Sequence, residues 1–105
     1  PCVSIFGSAR TQPDNKYYKD AEDIAAKLVE VGYGIITGGG PGIMEAANKG
    51  AQESGGVSVG LHIELPHEEG CNKYVDRNRI VAFKYFFARK VMFIRYAQGV
   101  VYMPG

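Results

Sequence analysis

A chain of 105 residues with 46% hydrophobic and 22% charged content is sized and balanced for one globular domain, expected to span residues 1–105. Twelve Lys and Arg stand against 11 Asp and Glu, so a net charge of +1 supplies no global field toward nucleic acid or a membrane surface. Two cysteines and two histidines, with no C-x-x-C and no helical H-x-x-x-H, point away from a disulfide framework and from zinc. The apolar runs fall far short of a membrane span and no signal segment opens the chain, so the expected compartment is a reducing cytoplasm.

Glycine is the outlier, at 14 residues, roughly twice the usual share. The glycines cluster without a period, which implies tight backbone turns rather than a fibrous repeat. In chain order, the run VSIFG at 3–7 reads as a buried strand entering a loop. Pro13, Asp14 and Asn15 form a turn and a helix start. Tyr17, Ala21, Ile24, Ala25, Leu28 and Val29 then recur at helical spacing, with Gly32 as the stop. A second buried strand at 33–37 runs into Gly38, Gly39, Gly40, Pro41 and Gly42, and a helix follows at about 43–53. The helical wheel places Ile43, Ala47, Gly50 and Ala51 on one face and turns Glu45, Asn48, Lys49 and Gln52 away from it.

Residues 57–63 read as a third strand and 64–71 as a loop, with Pro66 and Gly70 as breaks. A fourth, short strand is expected at 79–83, a helix at 84–97 and a last strand at 100–103, stopped by Pro104 and Gly105. This alternation argues an α/β fold, a doubly wound parallel sheet between two helical layers. A strand as apolar as the last one calls for a covering helix, so the working domain is expected to continue past Gly105.

In such sheets ligands bind at the carboxyl ends of the strands. Three glycine-bearing loops leave those ends: 7–10, 38–42 and 103–105. Close backbone approach plus a following helix N-terminus makes Gly38, Gly39, Gly40 and Gly42 the leading phosphate site. The spacing is neither G-x-G-x-x-G nor a P-loop. Glu45 is explained by the helix macrodipole and an i, i+4 pair with Lys49, a sugar hydroxyl being its alternative partner. Ser8 has no His spaced for a catalytic triad. His62 reads as a packed strand residue, and Glu64, Glu68 and Glu69 read equally as an exposed acidic loop or as a site.

On the helix at 84–97, Arg89 falls among Tyr85, Met92, Phe93 and Tyr96, and Lys90 between Phe86 and Ile94. Buried cations need partners, so Arg89 points to a site or a subunit interface, while Lys90 either snorkels or meets an anion. From Cys71 onward Lys73, Arg77, Arg79, Lys84, Arg89, Lys90 and Arg95 face one acid, Asp76. That local excess suits a phosphorylated ligand; no helix-turn-helix or RNA-binding signature accompanies it.

These residues together resemble the LONELY GUY (LOG) family, whose members are often labelled lysine decarboxylases. The resemblance rests on IFGS at 5–8, GGGPGIMEAANKGA at 38–51, GLHIELPHE at 60–68 and FFARKVMF at 86–93, with Met103, Pro104 and Gly105 as the opening of PGGxGTxxE. It implies a Rossmann-like sheet and at least a homodimer. It also implies a phosphoribohydrolase that frees the base of a nucleoside 5′-monophosphate, a cytokinin ribotide or AMP, without cofactor or metal. By the same resemblance Arg89 is catalytic and Lys90 binds substrate beside it. The resemblance also has Gly38, Gly39, Gly40 and Gly42 hold ligand and Glu68 contact it; Glu45, Ser8, Pro104 and Gly105 are further candidate substrate-binding residues. The partner Glu and the GxGT loop would lie beyond Gly105. A decarboxylase would need a pyridoxal-phosphate lysine with its supporting groups, to which nothing in the sequence points. The alternative is a non-catalytic carrier of a nucleotide or of molybdenum cofactor on a similar fold.

Overall fold

The computed structural model describes residues 1–63, 71–83 and 97–104. Their elements are β1 (Cys2–Phe6), α1 (Lys16–Glu30), β2 (Gly34–Thr37), α2 (Ile43–Glu53), β3 (Ser58–Ile63), a single 3-10 turn (Arg77–Arg79), β4 (Ile80–Phe83) and β5 (Gly99–Tyr102). The strands pair in the order β4-β3-β2-β1-β5, and every pair is parallel. The chain steps one way from β1 to β4, then adds β5 on the other side of β1. That reversal is the doubly wound, Rossmann-like order, and its switch point lies between β1 and β5. The fourth strand is therefore present. The helix expected at 84–97 lies outside the described residues except for Ala97, which belongs to no regular element.

α1 starts where Asn15 caps it: its side-chain oxygen accepts the Tyr17 N–H at 2.8 Å. It stops in a Schellman motif, with Gly32 at φ 100° donating to the Val29 carbonyl and Tyr33 donating to that of Leu28. Its inward face uses Tyr18, Ala21 and Ala25. Tyr17, expected inside, is 37% exposed, with the Lys16 ammonium over its ring. Tyr18 goes in instead because its hydroxyl finds an acceptor there, on Glu45.

α1 and α2 pack against one face of the sheet, over Ile5, Ile35, Val101 and Met103. The stripe of Ala46, Ala47 and Ala51 with Gly50 lets α2 approach α1 as well as the sheet. A Cβ on Gly50 would strike the Glu22 carbonyl of α1. Ile5, Ile35 and Ile43 are fully buried here, each contributing about 1.5–3 kcal/mol. β2 is buried along its whole length, as a central parallel strand must be. The opposite face carries a second apolar cluster around Ile36 and Leu61, with Cys2, Phe6 and Val59 packed against it.

Candidate functional site

The first turn of α2 sits at the carboxyl ends of β1 and β2, beside the switch point. Its N-cap is Gly42, at φ 71° and ψ −130°, and no side chain caps the helix. One first-turn donor is used by the protein: Ile43 N–H bonds the Ser8 carbonyl at 2.9 Å. Among the described residues no backbone carbonyl accepts the Met44 or Glu45 N–H, the orphan groups of a helix start. A Cβ on Gly42 would run into the Ser8 carbonyl and Ala9, and one on Gly7 would meet the Ile43 side chain at 2.5 Å. The loop after β1 and the loop after β2 are thus pressed into a single shelf. Ser8 Oγ is turned into its own loop, accepting the Arg10 N–H at 3.0 Å. On the other side of β1, Met103 N–H bonds the Phe6 carbonyl at 2.8 Å and brings Pro104 to the same end of the sheet.

Ser8, Gly38, Gly39, Gly40, Gly42, Glu45 and Pro104 therefore all lie at the strand ends where the sequence places them. Glu68, Arg89, Lys90 and Gly105 lie outside the described residues, as do Glu64 and Glu69. Within the loop the glycines differ in role. Gly39 and Gly42 alone have positive φ, at 78° and 71°. Gly39 also lies under Cys71, whose Sγ would be 2.8 Å from an added Cβ.

Glu45 does not pair with Lys49. It accepts the Tyr18 hydroxyl at 2.6 Å, while Lys49 reaches across to Glu22 on α1 at 3.5 Å. The Glu22 charge, first among several influences, raises the Lys49 pKa. Burial, then the hydrogen bond and charge of Glu45, push the Tyr18 hydroxyl far above its ordinary value. The fold favours the neutral phenol, so its contribution to stability is whole below the unfolded pKa of about 10 and is lost as pH rises beyond it. Alkaline titration at 295 nm should accordingly show a tyrosine class that resists ionisation until the protein unfolds. Loss of that resistant class in Tyr18→Phe assigns it; its persistence would refute the assignment.

Beneath the shelf is a buried polar network that the sequence reading did not anticipate. Asn48, expected to face away, is fully buried. Thr37 Oγ1 donates to Asn48 Oδ1 at 2.5 Å and accepts the Gly39 N–H at 2.9 Å. Asn48 Nδ2 donates to Ser58 Oγ at 2.9 Å, and Ser58 Oγ donates to the Tyr74 carbonyl at 2.8 Å. Asn72 Nδ2 reaches Gly40 O at 2.9 Å and Asn48 Oδ1 at 3.1 Å. Among the described residues, no buried side-chain polar atom lacks a partner. The available signal was angular: Asn48 stands only about 60° from Ala51 around the helix.

The basic stretch after Cys71 is partly neutralised, since Asp76 pairs with Arg79 at 3.2 Å and accepts the Ser58 N–H at 3.2 Å. Among the described residues, no three His, Cys, Asp or Glu side chains gather as a metal site, and no helix is long and apolar enough to cross a membrane.

A family model described as the SLOG cluster4 family matches residues 1–105. An uncharacterised protein of Archaeoglobus fulgidus is 30% identical over 104 residues, 98% of this chain and 64% of that protein. The X-ray structure of a structural-genomics target is similar at 29% identity and a TM-score of 0.71, over 95% of this chain and 58% of its own. The molybdenum cofactor carrier protein of Chlamydomonas reinhardtii follows the fold at 23% identity and a TM-score of 0.76, over 97% and 61% of the two chains. The molybdenum cofactor binding protein of Rippkaea orientalis does so at 22% and 0.81, over 100% and 63%. These last two are likenesses of fold. The chain thus spans about three fifths of the length of the proteins it matches.

Proposed function

This chain belongs to the SLOG cluster4 family, and from that premise we propose that it binds a nucleoside 5′-monophosphate at the 38–42 shelf and hydrolyses its N-glycosidic bond. The SLOG superfamily includes LOG-like proteins, and the finer LOG resemblance supplies the reaction. The observation that carries the binding half is the uncapped start of α2. Its first-turn amides, with the helix macrodipole behind them, open onto glycine backbone at the switch point of the sheet. Breaking the bond develops oxocarbenium character on the ribose and negative charge on the leaving base. A carboxylate, expected beyond Gly105, activates water or stabilises the sugar cation. Arg89 and Lys90 hold oxyanions of the substrate, Arg89 through its planar fork. Glu68 and Glu45 are assigned to substrate contacts, Glu45 with one oxygen held by Tyr18. A homodimer is part of this reading.

Incubation of the full-length protein with AMP and with isopentenyladenosine monophosphate tests it. Chromatography should find free base and ribose 5-phosphate. Arg89→Ala should remain folded and lose about 10²-fold or more in turnover. Wild-type turnover by that variant would remove Arg89 from the mechanism. The likeness of fold to two molybdenum cofactor proteins supports a second reading, in which the shelf holds a phosphorylated cargo without cleaving it. Binding without base release would select that reading.

A further inference from the structure

We propose that Asn72, on the connection between β3 and β4, is a positioning residue for the 38–42 shelf. It fixes the Gly39–Gly40 peptide so that the Gly40 N–H is turned outward as a donor for the ligand phosphate. The inference rests on the reading of the shelf as a phosphate site.

Asn72 grips the loop at two successive carbonyls. Its backbone N–H donates to Gly39 O at 2.7 Å and its Nδ2 to Gly40 O at 2.9 Å. The side chain is itself held at both ends. Nδ2 also meets Asn48 Oδ1 at 3.1 Å, and Oδ1 accepts the Tyr74 N–H at 3.0 Å. This arrangement fixes the amide orientation, because the flipped form would set an oxygen against two oxygens.

The described peptides are all trans. In a trans peptide the C=O and the following N–H point to opposite sides of the chain. With the Gly39 carbonyl anchored on the Asn72 backbone N–H, which the side-chain bonds to Gly40 O, Asn48 and the Tyr74 N–H hold in place, the Gly40 N–H must point away from Asn72. Among the described residues nothing accepts it. The next residue is Pro41, which brings no N–H to compete. Two adjacent glycines would otherwise let this peptide rotate freely. From the other side Thr37 Oγ1 takes the Gly39 N–H and is itself tied to Asn48. The loop is pinned from within before any ligand arrives, which is preorganisation of a backbone donor.

The test compares Asn72→Ala and Asn72→Asp in the full-length protein, with AMP as probe and adenosine as its phosphate-free counterpart. The Asp variant sets a carboxylate oxygen against Gly40 O and Asn48 Oδ1. The AMP Kd should rise about ten-fold or more in Asn72→Ala and further in Asn72→Asp, while adenosine binding changes less than about two-fold. A merely structural role would weaken both ligands alike, and that result overturns the proposal. So does an unchanged AMP Kd in folded Asn72→Ala. Wild-type protein that binds no AMP overturns the phosphate site and this role together, whereas wild-type binding with an indifferent variant overturns the role alone. Should Asn72→Ala fail to fold, Asn72→Asp, which loses the Nδ2 donor but keeps the size and the acceptor of the Tyr74 N–H, carries the same comparison.

Discussion

Gly42→Ala is expected to cost about 4 kcal/mol, the sum of backbone strain and overpacking. The strain comes from φ 71° with ψ −130°, a region that L side chains scarcely enter. The overpacking comes from backbone, which cannot swing aside. The new Cβ would meet the Ser8 carbonyl and lie 2.7 Å from the Ala9 carbonyl carbon. Domains of this size are held by about 5–15 kcal/mol, so the substitution takes a large share of the whole. Two other glycines separate the contributions. Gly32 has φ 100° and open space around it, so Gly32→Ala reports strain alone, about 1 kcal/mol. Gly40 has no positive φ, and among the described residues its added Cβ would meet only the flexible end of Met44 at 2.8 Å, so Gly40→Ala should cost less than about 1 kcal/mol. Urea denaturation of the three variants gives the ranking. If Gly42→Ala proved no worse than Gly32→Ala, the two loops would not be pressed together as described.

The same contrast shows what was legible in the sequence. α1 announces itself by a helix start at Asn15, a helical stripe and a terminal Gly32, all local signals, and they are borne out except at Tyr17. The Gly-rich turn is equally local: a buried strand, a run of small residues and a helix can only be a strand-to-helix loop. The strands are found within a residue or so of their expected ends, because buried parallel strands read as short apolar runs. Tertiary choices are not written in the same way. Tyr17 and Tyr18 are neighbours of one type, and which one enters is decided by an acceptor 27 residues further on. Lys49 has Glu45 at the favoured helical spacing, yet Tyr18 occupies Glu45 and Glu22 comes within reach from the facing helix. Asn48 looks like an outward polar residue until Thr37, Ser58 and Asn72 are brought around it. Each of these depends on pairing between segments far apart in the chain. The polar support of the site was therefore hidden, although its backbone was plain.

Asn48→Leu is the severest test of that support. Leucine keeps asparagine's heavy-atom count and branching but is bulkier, so no cavity arises and the loss combines missing hydrogen bonds with some overpacking. Four groups are deprived at once: Thr37 Oγ1 of its acceptor, Asn72 Nδ2 of one of its two, Ser58 Oγ of a donor, and the Val59 carbonyl of a long contact at 3.4 Å. A buried polar group left unmatched costs about 1–3 kcal/mol, and Asn72 and Ser58 keep other partners, so a loss of about 3–4 kcal/mol is expected. Thr37→Val supplies the cycle. Alone it should cost about 1–2 kcal/mol by orphaning Asn48 Oδ1 in part and freeing the Gly39 N–H. Once Asn48 is leucine the threonine hydroxyl has lost its acceptor, and removing it should cost only the acceptor of the Gly39 N–H, less than in the wild type. The double variant should thus be more stable than the sum of the singles predicts by about 1 kcal/mol or more. Strict additivity would mean that Thr37 and Asn48 do not act as one unit, and the shelf would then rest on its glycines and on Asn72 alone.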